Sequence, residues 1–185
     1  MTRASPHRAL WALWLLLVCS LSAHAYTVSE IAKVDGLLAV LSQRLEIAES
    51  VAQAKWNSGA AIEDPEREAQ VLDRFGQQAR ERGVDEKFAR SVMRAQIEAS
   101  KARQRAFFAL WKKQRRGPFS DPPDLAGEIR PQLDLLSDRL IASLQDSKAL
   151  GSKFDPLLSW RAQLLWKQPC DTAQVLSLSP FATYR

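Results

Sequence analysis

Histidine is nearly missing from this chain of 185 residues: there are two, His7 and His24, and both fall within the first 25 positions. Cys19, one of only two cysteines, lies in the same stretch. The seven glycines are scattered singly, so there is no Gly-rich phosphate loop. Strand-like alternation is almost absent as well. What these absences exclude depends on whether the first 25 residues stay with the chain.

They read as a removable segment. Arg3, His7 and Arg8 precede a run from Ala9 to Leu21 that is apolar except for Ser20, and Ser22-Ala23-His24-Ala25 then supplies small residues in an Ala-x-Ala pattern. This is the layout of a secretory signal peptide, and the apolar run is too short to span a bilayer as a helix. A soluble amphipathic helix fits poorly, because Trp11, Trp14 and their neighbours are apolar all round. A lipoprotein anchor at Cys19 also fits poorly, since bulky Val18 precedes it. The expected cleavage follows Ala25. The product, residues 26–185, is then expected to be a single soluble domain, periplasmic or secreted, with no membrane contact after cleavage.

Without residues 1–25 the absences become sharp. No histidine remains for a Ser-His-Asp triad, a Cys-His pair or a zinc site, and one cysteine, Cys170, neither replaces it nor closes an internal disulfide. No metal and no cofactor are expected. The remaining 24 lysines and arginines face 21 carboxylates, so the sequence pI of about 9.5 overstates the basicity. The run Lys112-Lys113-Gln114-Arg115-Arg116 sits at an expected helix end, where cations suit the dipole, and no nucleic-acid partner is expected. Three classes stay open: a binding module, a structural protein, and an enzyme that needs positioned charge and little proton transfer.

What is present is helical. Thr27-Val28-Ser29-Glu30 reads as a capping box, followed by Ile31, Val34, Leu38, Leu41, Leu45, Ala48 and Ala52 at helical spacing. This first helix is expected to reach about Trp56 and to end at Asn57-Ser58-Gly59. A second opens at Asp64-Pro65 and stops near Gly83; a third runs from Asp85 through Phe88, Val92, Ile97, Phe107 and Trp111. Residues 116–123 form a linker. A fourth helix is expected over 124–150, entered or kinked at Pro131 and closed by Gly151. Asp155-Pro156 is expected to cap a fifth, to about Lys167, and the tail from Gln168 is weakly patterned. The expected fold class is all-α, one bundle of five to six helices.

Several polar residues interrupt apolar faces. Arg44 and Lys55 are eleven residues apart, close to three helical turns, so both project from one face with Val51 between them. Two cations on an apolar stripe are costly unless an anion meets them or their stems reach water. Asp64 and Glu66 suit a helix start, whereas Arg67, beside Glu68, is disfavoured there unless paired. Ser100 and Gln104 share a face of the third helix at i and i+4. Arg139 sits among Leu135, Leu136 and Leu140 on the fourth.

The run Arg44…Lys55-Trp56…Ile62-x-Asp64-x-x-Arg67-Glu68, followed by Gln96-Ile97-x-Ala99-Ser100-x-x-x-Gln104, resembles the all-helical AroQ class of chorismate mutases. The resemblance covers about residues 30–145. The leader, the extra C-terminal helices and Pro122-Pro123-Asp124 resemble the secreted, gamma-type branch, with core motifs over 30–115 and C-terminal helices over 124–168 completing the site. Such enzymes rearrange chorismate, a dianion, to prephenate without a nucleophile or base. The resemblance implies that Arg44 and Arg139 clamp carboxylates, with Arg130 a competitor for the second place. It implies that Lys55 and Gln104 donate to the ether oxygen, that Asp64 and Glu68 hold the ring hydroxyl region, that Arg67 adds charge and that Ser100 binds a carboxylate. Relatives are often dimers, so a homodimer is compatible with it.

Two departures stand out. Gln104 replaces a glutamate of some relatives, which must be protonated to donate, so activity is expected to persist near pH 7–8. Cys170 stands about where some relatives place half of a C-terminal disulfide, without a second cysteine to pair with. The alternative reading is a non-catalytic periplasmic binding or interaction module on the same fold; Lys55 and Gln104 argue against it, because binding alone needs the carboxylate clamps more than the ether donors.

Overall fold

In the computed structural model, residues 26–166 and 171–183 are described; the expected leader and Cys170 lie outside them. Every regular element among the described residues is helical. Helix α1 spans Val28–Glu46 and opens on the expected capping box: Thr27 Oγ1 accepts from the Glu30 amide at 3.1 Å, and Glu30 accepts from the Thr27 amide at 2.8 Å. Its apolar stripe, Val34, Leu37, Leu38, Leu41 and Leu45, is no more than 2% exposed. The expected single helix to Trp56 is divided at Ile47, where the amide reaches Gln43 O over a slack 3.3 Å while φ and ψ stay right-handed. Helix α2, Ala48–Ser58, resumes at once and ends at Gly59, whose φ of +69° favours a residue without Cβ.

Helix α3, Pro65–Glu81, starts as read, with Asp64 accepting from the Arg67 amide and proline at the first position. Helix α4, Glu86–Lys113, is capped by Asp85 through the Phe88 amide at 2.6 Å. The linker then crosses back, anchored by Asn57, which donates to Phe119 O at 2.8 Å and accepts from its amide at 2.9 Å. Trp111 packs edge-on against Phe119 beneath it. A π turn, Leu125–Ile129, leads into α5, Arg130–Ser147, so Pro131 lies in a first turn and causes no mid-helix kink. A 3₁₀ stretch, Lys148–Lys153, breaks at Gly151.

Two expectations are corrected here. Asp155 is not the cap of the next helix: α6, Phe154–Leu165, starts one residue earlier without a side-chain cap, and Asp155 sits in its first turn, where its charge suits the dipole. The tail is also regular, forming α7, Thr172–Thr183. It packs along α4 with Ala173, Ser177 and Phe181 turned inward. Around α1 the layers are α5 and α6, the latter tied by Arg161, which donates twice to Asp35 at 2.7 Å. Helices α2 and α3 lie against α4.

Candidate functional site

Helices α1 to α5 converge on a cleft of about 150 Å³. Arg44 comes from α1, Lys55 from α2, Asp64, Arg67 and Glu68 from the start of α3, and Ser100 and Gln104 from α4. Val51 lies in the wall with Arg44 and Lys55, so the eleven-residue spacing survives the break at Ile47.

Arg139 does not join them. It is exposed and donates to Gln43 Oε1 at 3.0 Å outside the cleft. The arginine that α5 supplies is Arg130. The reason is helical phase: Arg130, Leu133, Asp134 and Ser137 line the cleft at i, i+3, i+4 and i+7, whereas nine residues from Arg130 is about two and a half turns, the opposite face.

Arg44 is 8% exposed, and its partners are neutral. Nη1 donates to Leu133 O at 3.0 Å and Ser137 Oγ at 2.9 Å, Nη2 lies 3.3 Å from Met93 Sδ, and buried Nε has no acceptor. Lys55, 9% exposed, donates to the carbonyls of Ala61 at 2.9 Å and Ile62 at 2.7 Å, and Ile62 lines the cleft beside it. Neither cation has a carboxylate within ion-pair distance among the described residues. Burial pushes the Arg44 guanidinium down to about 10, with Asp134 opposing, so it stays charged at neutral pH. Burial also lowers Lys55 below the ordinary lysine value, against the pull of Asp64, Glu68 and Glu63.

Gln104, 4% exposed, donates from Nε2 to Ser100 Oγ at 3.0 Å, which leaves its second Nε2 proton for another acceptor. Asp64 and Glu68 both cap this helix start: Asp64 accepts from the Arg67 amide, and Glu68 accepts from the Asp64 amide at 3.3 Å. Arg67 finds its compensation in Asp134 at 3.9 Å.

The sequence reading gave no role to Lys101, Asp134, Gln96 and Ser137, which also line the cleft. Lys101 is paired with Glu98 at i,i+3, but its side chain is only 10% exposed and also reaches Glu68 across from α3. Gln96 donates to Ser177 of α7, a contact invisible while the tail seemed unpatterned. Asp134 could have been found by adding one turn to Arg130. In all, five cations and three carboxylates line the cleft, an excess of two positive charges. The arrangement can hold a small dianion and present fixed donors to a third acceptor; no cluster of three or more metal-ligating side chains occurs among the described residues.

Residues 28–105 match the family described as chorismate mutase type II. The secreted chorismate mutase of Mycolicibacterium smegmatis is 35% identical over 105 residues, 57% of this chain and 58% of that protein. The chain thus spans less than two thirds of the length of the secreted relatives it matches. The chorismate mutase of Methanocaldococcus jannaschii is 34% identical over 71 residues, 38% of this chain and 72% of that one. The crystal structure of chorismate mutase from Burkholderia thailandensis superposes with a TM-score of 0.64 at 38% identity, covering 80% of this chain and 97% of that chain.

Proposed function

We propose, from the premise that the chain belongs to the chorismate mutase type II family, that it is an isomerase converting chorismate to prephenate. In this Claisen rearrangement the ether C–O bond breaks as a C–C bond forms within one molecule. The barrier falls when the folded conformer is held in place and the charge growing on the ether oxygen meets preorganised donors. The carrying observation is that Arg44 and Lys55 are buried as cations with only neutral partners. Such charges are costly to bury unless an anion completes them, and the cleft's excess of two matches the substrate's two carboxylates.

Arg44 and Arg130 take the carboxylates, where a guanidinium fork fits better than an ammonium. Ser100 adds a neutral donor. Asp64 and Glu68 accept from the ring hydroxyl, and Arg67, beside Asp134, adds positive charge that orients the substrate. Lys55 and Gln104 donate to the ether oxygen, the contact that strengthens most as the bond breaks and therefore the one that raises kcat. Export accompanies this reading: the secreted mycobacterial relatives and the leader-like residues 1–25 support it, and the Ala-x-Ala pattern ending at Ala25 supports cleavage there.

The test is to incubate residues 26–185 with chorismate, following its ultraviolet loss and the appearance of prephenate by NMR. Turnover well above the spontaneous rate is expected. Chorismate binding without turnover would leave the non-catalytic binding module in its place.

A further inference from the structure

We propose that Lys101 is a positioning residue of this site: it holds and neutralises the Glu68 carboxylate, so that the cleft keeps its positive excess for a dianion. The inference rests on the chorismate mutase reading. Lys101 Nζ lies 3.0 Å from Glu68 Oε2 and 2.7 Å from Glu98 Oε1, and its side chain is 10% exposed. Glu68 uses its other oxygen to accept from the Asp64 amide, so Lys101 fixes the turn that carries Asp64, Arg67 and Glu68. Burial disfavours the Lys101 charge, but the hydrogen bonds to Glu98 and Glu68 outweigh it and hold its pKa above the ordinary lysine value.

An ordinary surface pair does not account for this. The nearby pair Arg105–Glu63 is short, 2.6 Å, but its side chains are about half exposed and screened by water. Lys101 sits where screening is weaker, so its charge offsets the Glu68 carboxylate at the cleft wall more strongly than a surface pair would. Without it the cleft holds four cations against three carboxylates, and Glu68 meets an incoming dianion with no cationic partner within ion-pair distance among the described residues. The residue acts through Glu68 on binding, before the ether bond breaks, so its loss falls on KM and largely spares kcat.

Lys101→Met keeps the length and apolar stem and removes the charge. The expected result is a rise in chorismate KM of about tenfold with kcat within about threefold; Lys101→Arg returns KM to within about threefold of wild type. In a chain that already carries Glu68→Gln, adding Lys101→Met moves KM by less than about twofold, because the partner is gone. Glu98→Gln, outside the cleft, leaves KM unchanged. Thermal melts check folding, and Lys101→Gln replaces Lys101→Met should the latter not fold. An unchanged KM in Lys101→Met, a loss confined to kcat, or an equal KM rise in Glu98→Gln each overturns the proposal. A folded wild type that does not turn over chorismate overturns the parent reading; an active wild type with an indifferent Lys101 overturns this one alone.

Discussion

Replacing Lys55 with methionine separates the catalytic demand on this side chain from its structural one, because the two differ in size. Its ammonium has three protons, of which the carbonyls of Ala61 and Ile62 take two, leaving one for the ether oxygen. Losing a charge-assisted donor to a developing oxyanion costs about 2–4 kcal/mol of barrier reduction, or about 30- to 1000-fold in kcat. On the structural side, Ala61 is exposed and Ile62 is partly so, so water can meet the two released carbonyls. That loss is about 1–2 kcal/mol, against a total stability of about 5–15 kcal/mol for a domain. Removing a 9% exposed cation also recovers part of its desolvation cost. The variant should therefore stay folded, with a small drop in melting temperature, and lose at least about 30-fold in kcat measured by chorismate loss. A folded variant that keeps kcat within about fivefold would falsify the assignment of Lys55 to the ether oxygen.

Two further outcomes follow from placement and from titration. Arg130→Ala should raise chorismate KM by at least about tenfold while Arg139→Ala changes it by less than about twofold, measured by steady-state kinetics; the reverse order would return the clamp to Arg139. Wild-type kcat/KM should stay level through pH 7–8, since an amide at position 104 donates at any pH, and should fall on the alkaline side as Lys55, lowered by burial, loses its proton before an ordinary lysine would. Gln104→Glu should confine activity to acidic pH, because only the protonated acid donates; a wild-type profile that collapses above about pH 6 contradicts the amide's role.

Where the chain wrote its instructions locally, they could be read. The capping box at Thr27, the Asp64-Pro65 start and the glycines at 59 and 83 fix helix ends through backbone chemistry within a few residues. The same holds for Arg44 and Lys55, whose shared face follows from 3.6 residues per turn. Arg139 misled because leucines flank it on both sides, and neighbours in sequence do not decide which face of α5 meets α1; only the phase relative to Arg130 does. The tail carried a legible signal that went unused: Asp171 accepts from the Gln174 amide at 2.7 Å and Gln174 accepts from the Asp171 amide at 3.0 Å, a capping box spelled Asp-Thr-Ala-Gln. Its inward face sets a small residue, Ala173, and a polar one, Ser177, ahead of Phe181, too little apolar surface to register as a hydrophobic stripe. Lys101 was out of reach for another reason, since its burial depends on α3 packing against α4 and not on any spacing within α4.

The absence of histidine from the described residues and the unpaired cations are two sides of one arrangement. A site that moves protons must hold groups that titrate near neutrality, and burial then makes their charge depend on pH. Here the buried polar groups of the cleft are a guanidinium that stays charged at neutral pH, two ammoniums, Lys55 and Lys101, and two amides, Gln96 and Gln104, with no histidine among them. Their electrostatic pattern is therefore constant, and its cost is carried in the free protein: Arg44 Nε and Gln104 Oε1 are buried without partners. Helices α1 and α5 must pack tightly enough to hold Arg44 despite that cost, which fits the run of leucines between them, Leu38, Leu41, Leu136 and Leu140, all at most 6% exposed. A rearrangement within one dianionic molecule needs a fixed pattern of this kind, because charge shifts toward the ether oxygen while no proton leaves or enters.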